Sequence, residues 1–195
     1  MNHERRDRLG DAAIEVLAAS GGRGLTHRAV DAAAHLPQGT AKNYFPTRED
    51  LLRATAERCA AQYREISGQL AAAGPPADRG ALAALLVGLL DDVAGPGRPR
   101  MVAYLELQIE AARRPELAPV VDAIAAADLA DLEALQQAAG LPVTPGTAAA
   151  LALALHGALL HLVARGPATA ATARAGLEDT DRFVRTLLDA VYPPR

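Results

Sequence analysis

Glycine and proline cut this 195-residue chain into lengths that helices fill and that leave little room for anything else. The cuts fall at "GGRG" (21–24), Pro37, Pro46, "GPPADRG" (74–80), "GPGRP" (95–99), Pro115, "GLPVTPG" (140–146) and "RGPAT" (165–169). Between them apolar residues recur three or four positions apart, the helical period. Half the residues are apolar, yet only 3% are aromatic and none is tryptophan. The core must then be built from Ala, Leu and Val, which favours closely packed helices. The sequence predicts no strand.

Residues 6–19 place Leu9, Ala13, Val16 and Leu17 on one side of a first helix, which the glycines end. Thr26 is a good N-cap for a second helix of about two turns, with Val30 and Ala34 facing in. His35 and Leu36 make a tight corner. Pro37 is expected to open a third short helix, where a missing N–H costs nothing, and Pro46 to stop it. Thr47 with Asp50 reads as a capping box for a long fourth helix reaching to about residue 73. Further helices are expected over 81–93, 100–113, 116–139 and 145–164, with a last one ending near Tyr192 whose stripe is Phe183, Leu187, Leu188 and Val191. The connections are short enough for antiparallel packing.

Net charge is −3, which argues against an indiscriminate polyanion binder. Its distribution is uneven: over residues 5–48 seven basic side chains face four acidic ones, so this head carries +3 and the remainder −6. A basic head on an acidic body implies that only the head meets a polyanion. The single cysteine, Cys59, excludes an intrachain disulfide and a cysteine-rich zinc site, and fits a reducing cytosol. The start has no apolar run of the kind a signal peptide carries. The longest apolar stretch, 148–164, is alanine-rich and shorter than the roughly 20 residues a membrane span needs. A soluble, cytoplasmic protein with no membrane partner is expected.

The segment "HLPQGTAKNYFPTREDLL" (35–52) holds the only lysine, Lys42, and is too polar for a core helix and too aromatic for a linker. Two short helices joined by a tight corner, the second polar and exposed, make a helix-turn-helix whose second helix enters the major groove. Residues 6–56 resemble the DNA-binding head of the tetracycline-repressor (TetR) family of bacterial transcription regulators, whose pattern runs roughly "AA..L....G...LT...IA..AGVS.GTLY.YF.SKE.LL". The matching letters are Ala12, Ala13, Leu17, Gly22, Leu25, Thr26, Val30, Ala34, Gly39, Thr40, Tyr44, Phe45, Glu49, Leu51 and Leu52. His35 stands in place of the pattern's corner glycine, Pro37 of its serine cap, Ala41 of its leucine, and Lys42 of a tyrosine that touches phosphate in relatives. Histidine tolerates positive φ, so the corner survives.

Chemical roles follow by position. Thr26, His27 and Arg28 lie at the start of the second helix, where free amides and the dipole favour phosphate. Gly39 lets the backbone approach the groove, and Gln38, Thr40 and Asn43 reach base edges. Lys42, Tyr44 and Arg48 are assigned to phosphate, which sets register without reading sequence.

The resemblance implies an all-α fold: an N-terminal three-helix helix-turn-helix head (1–46), then a helical ligand-binding and dimerisation bundle (47–195) entered through the fourth helix. It also implies that helix 145–164 and the last helix form a four-helix interface in a homodimer, which would read a palindromic operator in double-stranded DNA. A small-molecule effector, apolar or amphipathic, is expected against Met101, Tyr104, Leu105 and Gln108 on one helix and His156 and Leu160 on another, an apolar wall with sparse polar groups. Glu106, Glu110 and His156 are a weak candidate for metal or acid–base chemistry, more simply read as a solvated face. Cys59 is expected to pack. No cofactor, metal or enzymatic signature is expected. The expectation is therefore a ligand-responsive repressor. The alternatives are a constitutive dimeric regulator, or a helical carrier or enzyme with a vestigial head.

Overall fold

The computed structural model describes residues 3–193, and among them every regular element is a helix. Ten follow in order: α1 (His3–Gly24), α2 (His27–Ala33), α3 (Thr40–Tyr44), α4 (Arg48–Ala73), α5 (Arg79–Ala94), α6 (Arg98–Ala111), α7 (Ala118–Ala138), α8 (Pro145–Arg165), α9 (Ala170–Arg174) and α10 (Thr180–Val191). The chain forms two compact units, Met1–Ile66 with Pro99–Ala125, and Ser67–Arg98 with Ala126–Arg195. Helices α4 and α7 contribute residues to both. This partition by packing differs from the division into head and body expected at residue 46.

The first unit is built on Leu9, Leu17, Leu25, Val30, Phe45, Leu51 and Leu52, joined by Ala103 and Leu107 of α6 and Leu117 and Val121. Helices α1 and α4 approach closely at Gly10, where a Cβ would stand 2.8 Å from Cγ of Arg58. That arginine then lies along α1 and donates to Asp11 at 2.6 Å and to Glu65 at 2.9 Å. The hydrogen bond to Asp11 raises its pKa further, against the cost of burial. Cys59 is 3% exposed and packs in this core, where burial pushes its thiol up to about 11. A thiol so protonated is a poor nucleophile.

The second unit packs Leu82, Leu86 and Leu90 of α5 against Leu151, Leu155 and Leu162 of α8 and Val184 and Leu188 of α10. Tyr192 donates its hydroxyl proton to Gln136 at 2.6 Å and the Gln136 amide donates to Leu132 O at 2.9 Å, whereas the buried His161 Nε2 on α8 has no hydrogen-bond partner among the described residues. Helix α8 is long and apolar enough by composition to cross a membrane, but Leu151, Ala152, Leu155, Ala158, Leu162 and Val163 are buried within the unit.

The two caps read from the sequence are formed: Thr26 accepts from Ala29 N, and Thr47 and Asp50 exchange bonds at the start of α4. A further one, not read there, is the full capping box of Thr144 with Thr147 on α8. Other expectations need correction. Helix α1 extends through the glycines with a break at Gly21 (φ 63°, ψ −178°) rather than stopping before them. Pro37 does not open α3: residues 37–40 form a turn closed by Thr40 N to Pro37 O at 3.1 Å, and the helix begins at Thr40. Gly39 supplies that turn with φ 90° and ψ −7°, the third-position geometry of a type II turn, which only glycine adopts without strain. The short α9, capped by Thr169, was not expected. On α10 the fully buried stripe is Val184 and Leu188, while Phe183, Leu187 and Val191 pack at its margin.

Candidate nucleic-acid interface

The helix-turn-helix is α2 and α3, and its corner is His35 with φ 51°, the left-handed conformation expected where the family pattern has glycine. Helix α2 ends at Ala33 with Ala34 as its C-cap, and the N–H groups of Ala34 and His35 fold back onto Val30 O and Ala32 O to lead the chain into this corner. Leu36 N then closes the turn onto Asp31 O at 2.9 Å.

From this frame Arg28, Gln38, Gly39, Lys42 and Asn43 are exposed, which leaves two cations and two amide side chains on the surface of α2, α3 and their turn. Thr40 is half-buried, and its hydroxyl donates to Pro37 O at 2.6 Å. Tyr44 is half-buried against the first core, its ring tilted beside Phe45 at 6.3 Å between centroids. The Arg6 guanidinium also lies over the Phe45 ring, 5.0 Å from its centroid. Thr26 is occupied as the cap of α2.

Two expected phosphate contacts are engaged elsewhere. The Arg48 guanidinium donates to Leu25 O at 2.6 Å and to Gly22 O, so it ties α4 to the end of α1 and the loop before α2. His27 Nε2 lies 2.6 Å from Phe45 O, and since a carbonyl only accepts, the ring carries its proton on Nε2 and donates to the C-terminal end of α3.

Sequence reasoning missed Asp31. It is 1% exposed, and its carboxylate accepts from Gly39 N and from Ala41 N, both at 2.7 Å. The available signal was that neither Pro37 nor Gly39 offers a side-chain acceptor to the first amides of α3, so one had to come from another helix.

The expected effector residues fall in two places. Met101, Tyr104 and Leu105 are half-buried and Gln108 exposed on α6 in the first unit. His156 and Leu160 lie on α8 in the second. Leu160 is 51% exposed. His156 Nε2 is paired with Asp128 of α7, and that hydrogen bond raises the imidazole pKa against the opposing effect of burial. In the first unit Glu106 and Glu110 stand beside Gly21 and Gly22, where a Cβ on Gly22 would meet Glu110 Oε1 at 2.6 Å; Glu110 also pairs with Arg114 at 3.0 Å. Among the described residues no three His, Cys, Asp or Glu side chains are grouped as metal ligands.

Residues 77–190, more than half of the chain, match the family described as tetracyclin repressor-like, C-terminal domain. Among solved structures, the multidrug binding protein EbrR complexed with ethidium is 30% identical, with a TM-score of 0.65 over 96% of this chain and 99% of that one. A member of the TetR family from Streptomyces coelicolor A3 is 32% identical, with a TM-score of 0.67 over 98% and 99%. A transcriptional regulator from Rhodococcus sp. Rha1, at 21% identity, shares the fold with a TM-score of 0.71 over 95% and 96%. No curated protein matches the chain. With a left-handed corner joining α2 to a polar α3 at one end of the chain and a matching C-terminal domain at the other, the chain belongs to the tetracycline-repressor family of DNA-binding transcriptional regulators.

Proposed function

We propose that this protein is a ligand-responsive repressor that acts in the cytoplasm as a homodimer on a palindromic operator. The observation that supports the DNA contacts is the exposed set on α3 and its turn, Gln38, Gly39, Lys42 and Asn43, beside the left-handed corner at His35. Gln38 and Asn43 pair with base edges, adenine by geometry, and the methyl of Thr40 suits thymine. Lys42, Arg28 and the amides at the start of α2 hold phosphate, with Tyr44 at the margin. His27 and Arg48 are left out of this set because each side chain is held by hydrogen bonds it donates to backbone carbonyls.

Dimerisation is supported by the outer face of α8. Ala149, Ala150, Leu153, Gly157 and Leu160 are all exposed at helical spacing, with Leu153 67% open. A helix that buries one face in its own unit and leaves another apolar needs a partner. Two heads on one dimer space their recognition helices by about 34–36 Å, which a palindrome mirrors.

The effector is an apolar or amphipathic small molecule. EbrR, which is similar over nearly its whole length, is described in complex with ethidium and with malachite green, so bulky aromatic cations are the first candidates. The half-buried Met101, Tyr104 and Leu105 offer such a ligand an apolar wall, and His156 with Asp128 is the polar pair to test in the other unit.

DNA binding is tested by selecting duplexes from a random pool and titrating salt. The log of affinity should fall linearly with log salt. Lys42→Ala should weaken selected and unrelated duplexes nearly alike and lower the slope by about one. An unchanged slope would remove Lys42 from the phosphate contacts.

A further inference from the structure

We propose that His27 and Asp31 of α2 act together as positioning residues that clamp the DNA-reading helix α3 at its two ends, Asp31 capping its start in place of a cap of its own. This rests on the DNA-binding reading above.

A helix of five residues has almost no internal hydrogen bonds to hold its direction, so its orientation is set by what its ends are tied to. At the start, the usual local acceptor is missing. Gly39, the N-cap, has no side chain, Pro37 has no polar atom beyond its carbonyl, and the Thr40 hydroxyl is turned away as a donor to Pro37 O. The carboxylate of Asp31 fills that role from the neighbouring helix: Oδ2 takes the Gly39 N–H and Oδ1 the Ala41 N–H. Two bonds to one rigid, planar group fix a direction as well as a distance. At the other end, His27 Nε2 donates to Phe45 O, a carbonyl that α3 leaves unpaired at its C-terminus.

The two residues are four apart on α2 and therefore on one face of it. Their roles are also opposite in sense, since an acceptor meets the amide end of α3 and a donor meets the carbonyl end. Swapping either for a group of the wrong polarity cannot preserve the clamp. Asp31 is sealed from solvent, so no water can replace the carboxylate without opening the unit. With both ends held, Gln38 and Asn43 present their amides to a groove in one orientation. If α3 swivels, phosphate contacts made by flexible lysine and arginine persist while base contacts do not.

Full-length chain is assayed against a duplex selected by the wild type from a random pool and against a scrambled duplex of equal length, with thermal unfolding run in parallel. Asp31→Asn keeps one acceptor oxygen and turns an N–H₂ toward an amide. His27→Ala removes the donor at the far end. Each should weaken the selected duplex about tenfold or more while changing the scrambled one by about threefold or less, the pattern of lost base reading with intact phosphate binding. A role limited to folding lowers both affinities in parallel, and parallel loss or no loss in the two variants would overturn the clamp. A wild type that prefers no duplex overturns the DNA-binding reading and this proposal with it, whereas a discriminating wild type with equally discriminating variants overturns the clamp alone. Should Asp31→Asn fail to fold, amide exchange in the wild type decides: Gly39 and Ala41 N–H should exchange slowly despite their place at an exposed turn, and fast exchange at both would refute the carboxylate cap.

Discussion

At the level of single residues, the departures from the family pattern are where the chain's own chemistry lies. His35 holds φ 51° while exposed, a conformation that costs an L-residue roughly 1–2 kcal/mol. Glycine removes the Cβ conflict but loses about 0.5–1 kcal/mol in chain entropy. His35→Gly should therefore leave the protein unchanged or more stable by about 0.5–1 kcal/mol, a rise of roughly 2 °C in thermal midpoint. A clear fall would mean that the imidazole makes a contact the corner needs. The left-handed corner was legible because the pattern marks its position with glycine. The fates of Arg48 and His27 were not, since spacing says that a polar side chain lies near the surface but not which carbonyl, 26 or 18 residues away, will accept its hydrogen bond. Asp31 was hidden for the same reason: its partners are backbone amides of another helix, which no side-chain pattern reveals.

Among the elements, the starts of α2 and α4 were readable from their local caps Thr26 and Thr47, α3 was misread because its cap comes from elsewhere, and the local caps Thr169 and Asp179 of α9 and α10 were not recognised. The five-residue α9 escaped notice because its alanines carry no periodic signal in so short a run. The pairing of α7 with α8 through Asp128 and His156 has a pH signature. The hydrogen bond that His156 donates to Asp128 raises the imidazole pKa above its ordinary 6.5, against the opposing effect of burial, and Asp128's charge adds to the rise. A raised folded pKa means that the pair's stabilisation is complete below about pH 6.5 and is lost as pH rises through the folded value. Because both side chains are partly exposed, at 40% and 26%, the effect is modest. Denaturant unfolding at about pH 6 and about pH 8 should show stability falling more steeply with pH in the wild type than in Asp128→Asn. Equal slopes would show that the pair is not formed in solution.

For the whole molecule, the all-helical fold followed from punctuation and composition, and the family from a motif in the head. The effector site was far less legible, since the same apolar spacing serves core, pocket and subunit interface. Leu160 is an example, proposed from sequence as a pocket residue and found 51% exposed on the open face of α8. If that face is the subunit interface, Leu153→Glu should bury no charge in the monomer and still abolish the dimer, with operator affinity falling to that of a single head. Sedimentation at micromolar concentration checks it, and a variant that remains dimeric would move the interface elsewhere.

The central claim, a repressor released from DNA by a small molecule, is tested most directly by one titration. Affinity for the selected duplex is measured by anisotropy with and without malachite green, which EbrR is described as holding, at a concentration shown by calorimetry to saturate the protein. A coupling of about 1–3 kcal/mol predicts affinity weakened roughly 5- to 150-fold, an effect that Tyr104→Ala or His156→Ala blunts without altering affinity in the dye's absence. Saturating dye that leaves DNA affinity unchanged would contradict the account and favour a regulator whose body only dimerises.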